Sequence, residues 1–142
     1  MPGYSGTPLA KKLGIKDGFR IALLHMPDDV QTDLHDALAR YQPSKKTAKN
    51  LDFIFLFAKS QAEFERDLLP AAKALAPAGM LWVSWPKKSS SVSSDIDENI
   101  VRQSGLAVGL VDIKVCAVTE VWSGLKFVIP VKNRPKAKSR SA

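Results

Sequence analysis

The chain has 142 residues, of which 45% are hydrophobic and 25% charged, the size and composition of one globular domain with a core large enough to need no staples. Its formal net charge is +7, and Lys132, Arg134, Lys136, Lys138 and Arg140 lie within the last twelve residues without an acid among them, so the remainder carries only +2. A single cysteine, Cys116, excludes an intrachain disulfide and suits a reducing, cytoplasmic compartment. One cysteine with His25 and His35 cannot form a Cys-rich zinc site, and no spacing points to a metal or a cofactor. No apolar run approaches the roughly 20 residues that span a bilayer, so no membrane contact is expected.

In chain order, Thr7 and Pro8 open a short helix, with Leu9 and Leu13 on one face and Gly14 as its stop. Asp17-Gly18 marks a turn. Residues 19–25 form an almost continuous apolar run, read as a first strand buried on both faces. Val30, Leu34, Leu38 and Tyr41 recur at helical spacing, predicting a helix over about 29–41, followed by a polar loop over 42–50. Residues 51–58, apolar except for Asp52, are the strongest strand signal. Ser60 with Glu63 has capping-box spacing. It starts a helix with Phe64, Leu68 and Leu75 inward, a kink or break expected at Pro70, and a stop at Pro77-Ala78-Gly79.

Residues 80–85 read as a third strand and residues 86–94 as a Lys- and Ser-rich loop. A helix over about 95–104 has Ile96, Ile100 and Val101 inward and Gly105 as its stop. Residues 111–118 alternate, with Val111, Ile113, Val115 and Ala117 on the inner face. Ser123-Gly124 suggests a hairpin turn, and residues 125–131 the returning strand. Strands alternating with helices demand parallel pairing and right-handed crossovers. The expected fold is therefore an α/β, three-layer, Rossmann-like sandwich of three parallel strands plus a C-terminal antiparallel hairpin. It forms one domain over 1–131, with a disordered basic tail over 132–142.

Four segments, GYSGTPLAKKLGI (3–15), WVSWPKK (82–88), GLVDIKV (109–115) and WSGLKF (122–127), together resemble a family of short bacterial proteins of unknown function. The resemblance spans residues 3–128 and implies no activity. The order of elements is also similar to the back half of a class I methyltransferase, which implies strand order 1-2-3-5-4. Where that fold has a glycine-rich loop after its first strand, this chain has His25-Met26-Pro27-Asp28, and no glycine occurs between Gly18 and Gly79.

Ligands of open α/β sheets bind beyond the carboxyl ends of the parallel strands. That rule selects residues 25–29, Lys59-Ser60, and residues 85–94. Lys87 and Lys88, beside Ser89 and near a helix N-terminus, suit a phosphate or carboxylate; the plainer alternative is two lysines on a solvated loop. Trp85, if it stands at the strand end, can stack on a planar ligand, whereas Trp82 belongs to the core. His25 has Asp28 and Asp29 nearby for a general base, but no nucleophile is marked, so a hydrogen-bonded structural histidine is the simpler reading. Cys116 reads as a small buried hydrophobe. In the tail, Lys132, Arg134, Lys136, Lys138 and Arg140 are able to contact nucleic-acid phosphates, weakly and without sequence preference.

Two functions from different classes follow. The first is a non-catalytic binding or regulatory module with an anionic small molecule or a protein partner at the strand-end rim. The second is a degenerate methyltransferase-like enzyme. A third, weak nucleic-acid binding, rests on the tail alone.

Overall fold

The structure, a computed structural model, describes residues 9–38 and 49–134. In chain order these form α1 (Leu9–Leu13), β1 (Ile21–Leu24), α2 (Asp28–Leu38), β2 (Leu51–Phe57), α3 (Gln61–Ala74), β3 (Leu75–Pro86), α4 (Glu98–Ala107), β4 (Val111–Ala117) and β5 (Trp122–Val128), then a 3-10 turn over Val131–Asn133. One five-stranded sheet has the order β1-β2-β3-β5-β4. β1, β2 and β3 are parallel, and β5 is antiparallel to both β3 and β4. This is the mixed α/β sheet expected from the pattern of elements.

Its two faces are packed separately, and the period-2 alternation of the strands divides the core between them. Phe53, Phe55, Phe57 and Trp82 face Leu13 of α1 and Val30 and Leu34 of α2. Ile54, Leu56, Leu81, Val83 and Trp85 face Phe64 and Leu68 of α3 and Val101 of α4. Trp82 is fully buried, and its indole N–H donates to the carbonyl of Leu13 at 2.8 Å, fastening α1 to the sheet. A buried tryptophan donor left without such a partner would cost about 1–3 kcal/mol.

Several boundaries differ from expectation, each for a physical reason. β1 is shorter than residues 19–25, because His25 leaves the strand with φ +60°. α2 begins at Asp28; its expected end near Tyr41 lies outside the described residues, as do Thr7, Pro8 and most of the 42–50 loop. α3 runs through Pro70 as one helix, with Pro70 on the exposed side while Phe64, Leu68 and Ala71 hold both halves to the sheet. It ends at Ala74, and the chain enters β3 directly at Leu75, so Pro77-Ala78-Gly79 lie within the strand. The register with β2 shifts there, and a Cβ on Gly79 would stand 2.5 Å from the Leu51 carbonyl oxygen.

Gly105 does not end its helix. It sits inside α4, where a Cβ would stand 2.2 Å from the Phe127 ring, so the glycine admits that ring rather than terminating the helix. The hairpin turns at residues 118–121, not at Ser123-Gly124, which belong to β5. There Thr119 Oγ1 accepts from the amides of Val121 and Trp122, both at 3.1 Å. β4 does not have one buried face. Its register slips between Asp112 and Lys114, and Ile113 and Val115 are 54% and 46% exposed on the sheet edge. No helix among the described residues is long and apolar enough to cross a membrane.

Candidate functional site

The carboxyl ends of β1, β2 and β3 meet along one rim, because parallel pairing aligns Leu24 with Leu56 and Phe57 with Ser84. Two cavities open there. The larger, about 460 Å³, lies at the end of β3 and is lined by Pro86, Lys87, Lys88 and residues 92–97. The smaller, about 240 Å³, lies at the ends of β1 and β2. His25, Pro27, Lys59 and Glu63 line it, with Phe57 and Trp122 beneath.

In the larger cavity the chain turns sharply after the strand. Lys87 N donates to the Val121 carbonyl at 2.7 Å, and Ser90 Oγ donates to the Lys87 carbonyl at 2.8 Å. These bonds fix the backbone that carries both lysines. No hydrogen bond or ion pair joins either ammonium group to a described residue. Ser89 is exposed and does not line the cavity; Ser93 and Ser94 do. Trp85 is 4% exposed, packed in the core on the α3–α4 face, and is not among the lining residues.

The helix N-termini at this rim already hold carboxylates. Asp97 caps α4, its Oδ1 accepting from Ile100 N at 2.9 Å. Asp95 Oδ1 accepts from Gln61 N at 2.7 Å, at the start of α3. Ser60 Oγ accepts from Glu63 N at 3.2 Å, while Glu63 Oε1 accepts from Lys59 N at 3.0 Å. The helix ends therefore satisfy their orphan amides from within the chain. An anion at this rim is left to the lysines.

His25 does not pair with Asp28 or Asp29, as its position in the chain suggested. Its Nε2 lies 3.1 Å from Oδ2 of Asp67, on α3. Asp67 is 8% exposed and is gripped by its neighbour Arg66, whose Nε and Nη2 reach the two carboxylate oxygens at 3.1 Å each. That grip, first by hydrogen bond and then by charge, holds the Arg66 pKa above its ordinary value. His25 is one of two non-glycine residues with positive φ among those described, a conformation that histidine adopts more readily than most but that still marks strain. Asp67 was legible in one respect: it stands three residues after Phe64, a charge on the apolar stripe of its helix.

The remaining candidates are dispersed. Asp52 sits at the start of β2, away from the rim, where Oδ2 accepts from Arg20 N at 2.9 Å. His35 is exposed on α2. Cys116 is only partly buried; burial raises its thiol pKa, against the lowering fields of Lys12 and Lys114. Lys132 is exposed, and Arg134 folds back so that its Nε donates to the Ile129 carbonyl at 2.9 Å. Lys136, Lys138 and Arg140 lie outside the described residues. No three His, Cys, Asp or Glu residues among those described are grouped to hold a metal ion.

Sheet order, crossover helices and a rim at the strand ends define a Rossmann-like protein with the fold of the S-adenosylmethionine-dependent methyltransferases. A solved structure described as a SAM-dependent methyltransferase from Aquifex aeolicus superposes with a TM-score of 0.58 at 13% identity, over 85% of this chain and 88% of that one. The glycopeptide N-methyltransferase MtfA, solved with sinefungin, superposes at 0.53 and 12% identity, over 85% and 90%. The mitomycin 7-O-methyltransferase MmcR superposes at 0.52 and 13% identity, over 79% of this chain and 42% of that one. At such identities the likeness is one of fold. The chain belongs to the family described as Protein of unknown function (DUF3052), whose profile matches residues 10–131. No curated protein matches it in sequence.

Proposed function

We propose that this protein is a non-catalytic binding module that holds a small anionic molecule at the carboxyl-end rim of its sheet. The observation that carries this reading is the cavity of about 460 Å³ beside Lys87 and Lys88, whose ammonium groups have no partner among the described residues. Such a volume is that of an ordinary small-molecule site. Asp95 and Asp97 line the same cavity and keep their charges, but their carboxylates are turned onto the amides of Gln61 and Ile100, so the two ammonium groups are the charged groups there without a bonded partner among the described residues. The neighbouring cavity extends the ligand-facing rim to His25 and Lys59.

The test is a thermal-shift screen of nucleotides, phosphorylated metabolites and carboxylates on the native protein and on the Lys87→Ala/Lys88→Ala variant. A ligand at a hundredfold excess over its Kd raises Tm by about 5–10 °C for a chain of this size. That rise should vanish in the variant. A panel that stabilises neither protein contradicts the reading.

A second reading, a degenerate methyltransferase, is favoured by the fold and by the strained His25 held by Asp67 at the rim. It requires S-adenosylmethionine or sinefungin to protect the protein from heat or hydrogen exchange. The loop after β1 opposes it, since His25, Met26 and Pro27 supply side chains where a nucleoside needs bare backbone. No protection at saturating donor removes this reading and leaves the first intact.

A further inference from the structure

Trp82 gives its indole N–H to the Leu13 carbonyl. Trp122, nearly as enclosed at 3% exposed, gives its indole N–H to no described residue. Its ring packs edge-to-face on Phe57, with centroids 5.3 Å apart, so packing accounts for the ring but not for the N–H. A buried donor without a partner is costly unless it opens on space that water or a ligand can enter. No fully buried side-chain nitrogen or oxygen among the described residues lacks a partner. The Trp122 N–H therefore opens on such space, and Trp122 lines the smaller rim cavity.

His25 lines the same cavity, and its Nε2 is taken by Asp67 at 3.1 Å. In a neutral imidazole the nitrogen facing the carboxylate carries the proton, which leaves Nδ1 an acceptor. Nothing among the described residues is bonded to Nδ1. A donor on β5 and an acceptor just past β1 thus share one space of about 240 Å³. The ionised side chains described there, Lys59 and Glu63, are opposite in sign, and Glu63 Oε1 is bonded to Lys59 N at 3.0 Å. What the cavity reads is therefore hydrogen bonding rather than net charge.

The group complementary to an indole N–H and a bare imidazole nitrogen offers a carbonyl oxygen and an N–H together, which is an amide. In a cyclic amide or imide both lie on one rigid edge, and little freedom is lost on binding. The volume, below the roughly 300–1,000 Å³ of a drug-sized site, suits a single small ring. The cavity also adjoins that of Lys87 and Lys88. Pro86, which lines the larger, is the register partner of Trp122, one strand spacing of about 5 Å away. We propose that Trp122 Nε1 and His25 Nδ1 hold a cyclic amide or imide, so that the ligand of this protein is a small ring amide carrying an anionic group. The anionic half rests on the reading of Lys87 and Lys88 given above.

The test is isothermal titration with orotate, an imide ring bearing a carboxylate. Benzoate keeps the carboxylate and lacks the amide, and 1,3-dimethylorotate keeps ring and charge but lacks both N–H groups. The native protein should bind orotate about tenfold or more tightly than either, the effect of one buried hydrogen bond. Trp122→Phe keeps an aromatic ring; it should lower orotate affinity to that of benzoate and leave inorganic phosphate binding unchanged. The three-compound comparison uses native protein alone, so it stands even where the substitution weakens the fold. Equal affinities for the three compounds overturn the amide site and leave the anion reading intact. Orotate binding that Trp122→Phe abolishes and Lys87→Ala/Lys88→Ala leaves unchanged supports the amide site and removes the anion reading. Failure of the native protein to bind orotate, benzoate or phosphate overturns both.

Discussion

His25 Nε2 and Asp67 Oδ2, 3.1 Å apart, join the end of β1 to the middle of α3. The pair holds a histidine with φ +60° at the mouth of the smaller rim cavity. Since Nε2 is spent on Asp67, the other ring nitrogen is the one free to meet a ligand. Asp67→Ala removes the partner of both His25 and Arg66 and should lower stability by about 1–2 kcal/mol. Urea unfolding reads this as a lower midpoint at unchanged m-value. His25→Gly, which loses the His25–Asp67 pair but relieves the backbone, should cost less than His25→Ala, which loses the same pair and keeps the left-handed conformation; equal losses would show that this conformation stores no strain.

Asp97 places a formal negative charge in the Lys87–Lys88 cavity while capping α4. Asp97→Asn keeps an oxygen on the Ile100 amide and removes the charge. Inorganic phosphate should then bind several-fold more tightly than to the native protein, by isothermal titration, with Tm nearly unchanged. Unaltered phosphate binding would mean that the two lysines do not face the same anion as Asp97.

Gly105 and Phe127 interlock more closely than any side chain at position 105 would allow. Gly105→Ala gains helix propensity but drives a methyl group into the ring, and overpacking of this kind costs about 1–3 kcal/mol. The variant should unfold at lower urea. A gain in stability would show that the α4–β5 contact gives way easily.

Lys126 titrates below its ordinary value of 10.5, mainly through burial, then through Lys114 and Lys16. The unfolded chain keeps the ordinary value, so between the two values it binds more protons than the folded state. Stability therefore rises with pH through that alkaline window. The contribution is complete above 10.5 and is lost as pH falls through the lowered folded value. Lys126→Gln should flatten this part of the pH profile and raise stability at neutral pH by about 0.5 kcal/mol. An unchanged stability at neutral pH would show that the Lys114–Lys126 pair costs the sheet nothing.

Much of the architecture was legible because it rests on local pattern. Phe53, Phe55 and Phe57 alternate with Ile54 and Leu56, and that alternation is what divides the two cores. The Ser60–Glu63 spacing marked the start of α3, and both side chains bond to amides of that turn. The rim followed from parallel pairing. Within it, Lys87, Lys88 and His25 line cavities, whereas Ser89 does not and Trp85, whose place at the strand end suggests a stacking surface, is packed inside. Its position three residues after Trp82 settled which face it took, but not how far α3 and α4 would cover it.

What the amino-acid order determined by itself was periodicity: which segments are strands, which faces are apolar, and that three strands run parallel before a hairpin closes the sheet. The partners across long separations were decided only by folding. Asp67 meets His25, Asp95 meets Gln61, Trp82 meets Leu13, and Lys114 is set against Lys126. Periodicity fixes the direction a side chain leaves its own element, over a few residues. Which distant group waits there depends on how the layers stack and on a one-residue slip such as that between Asp112 and Lys114, and no local spacing carries that information.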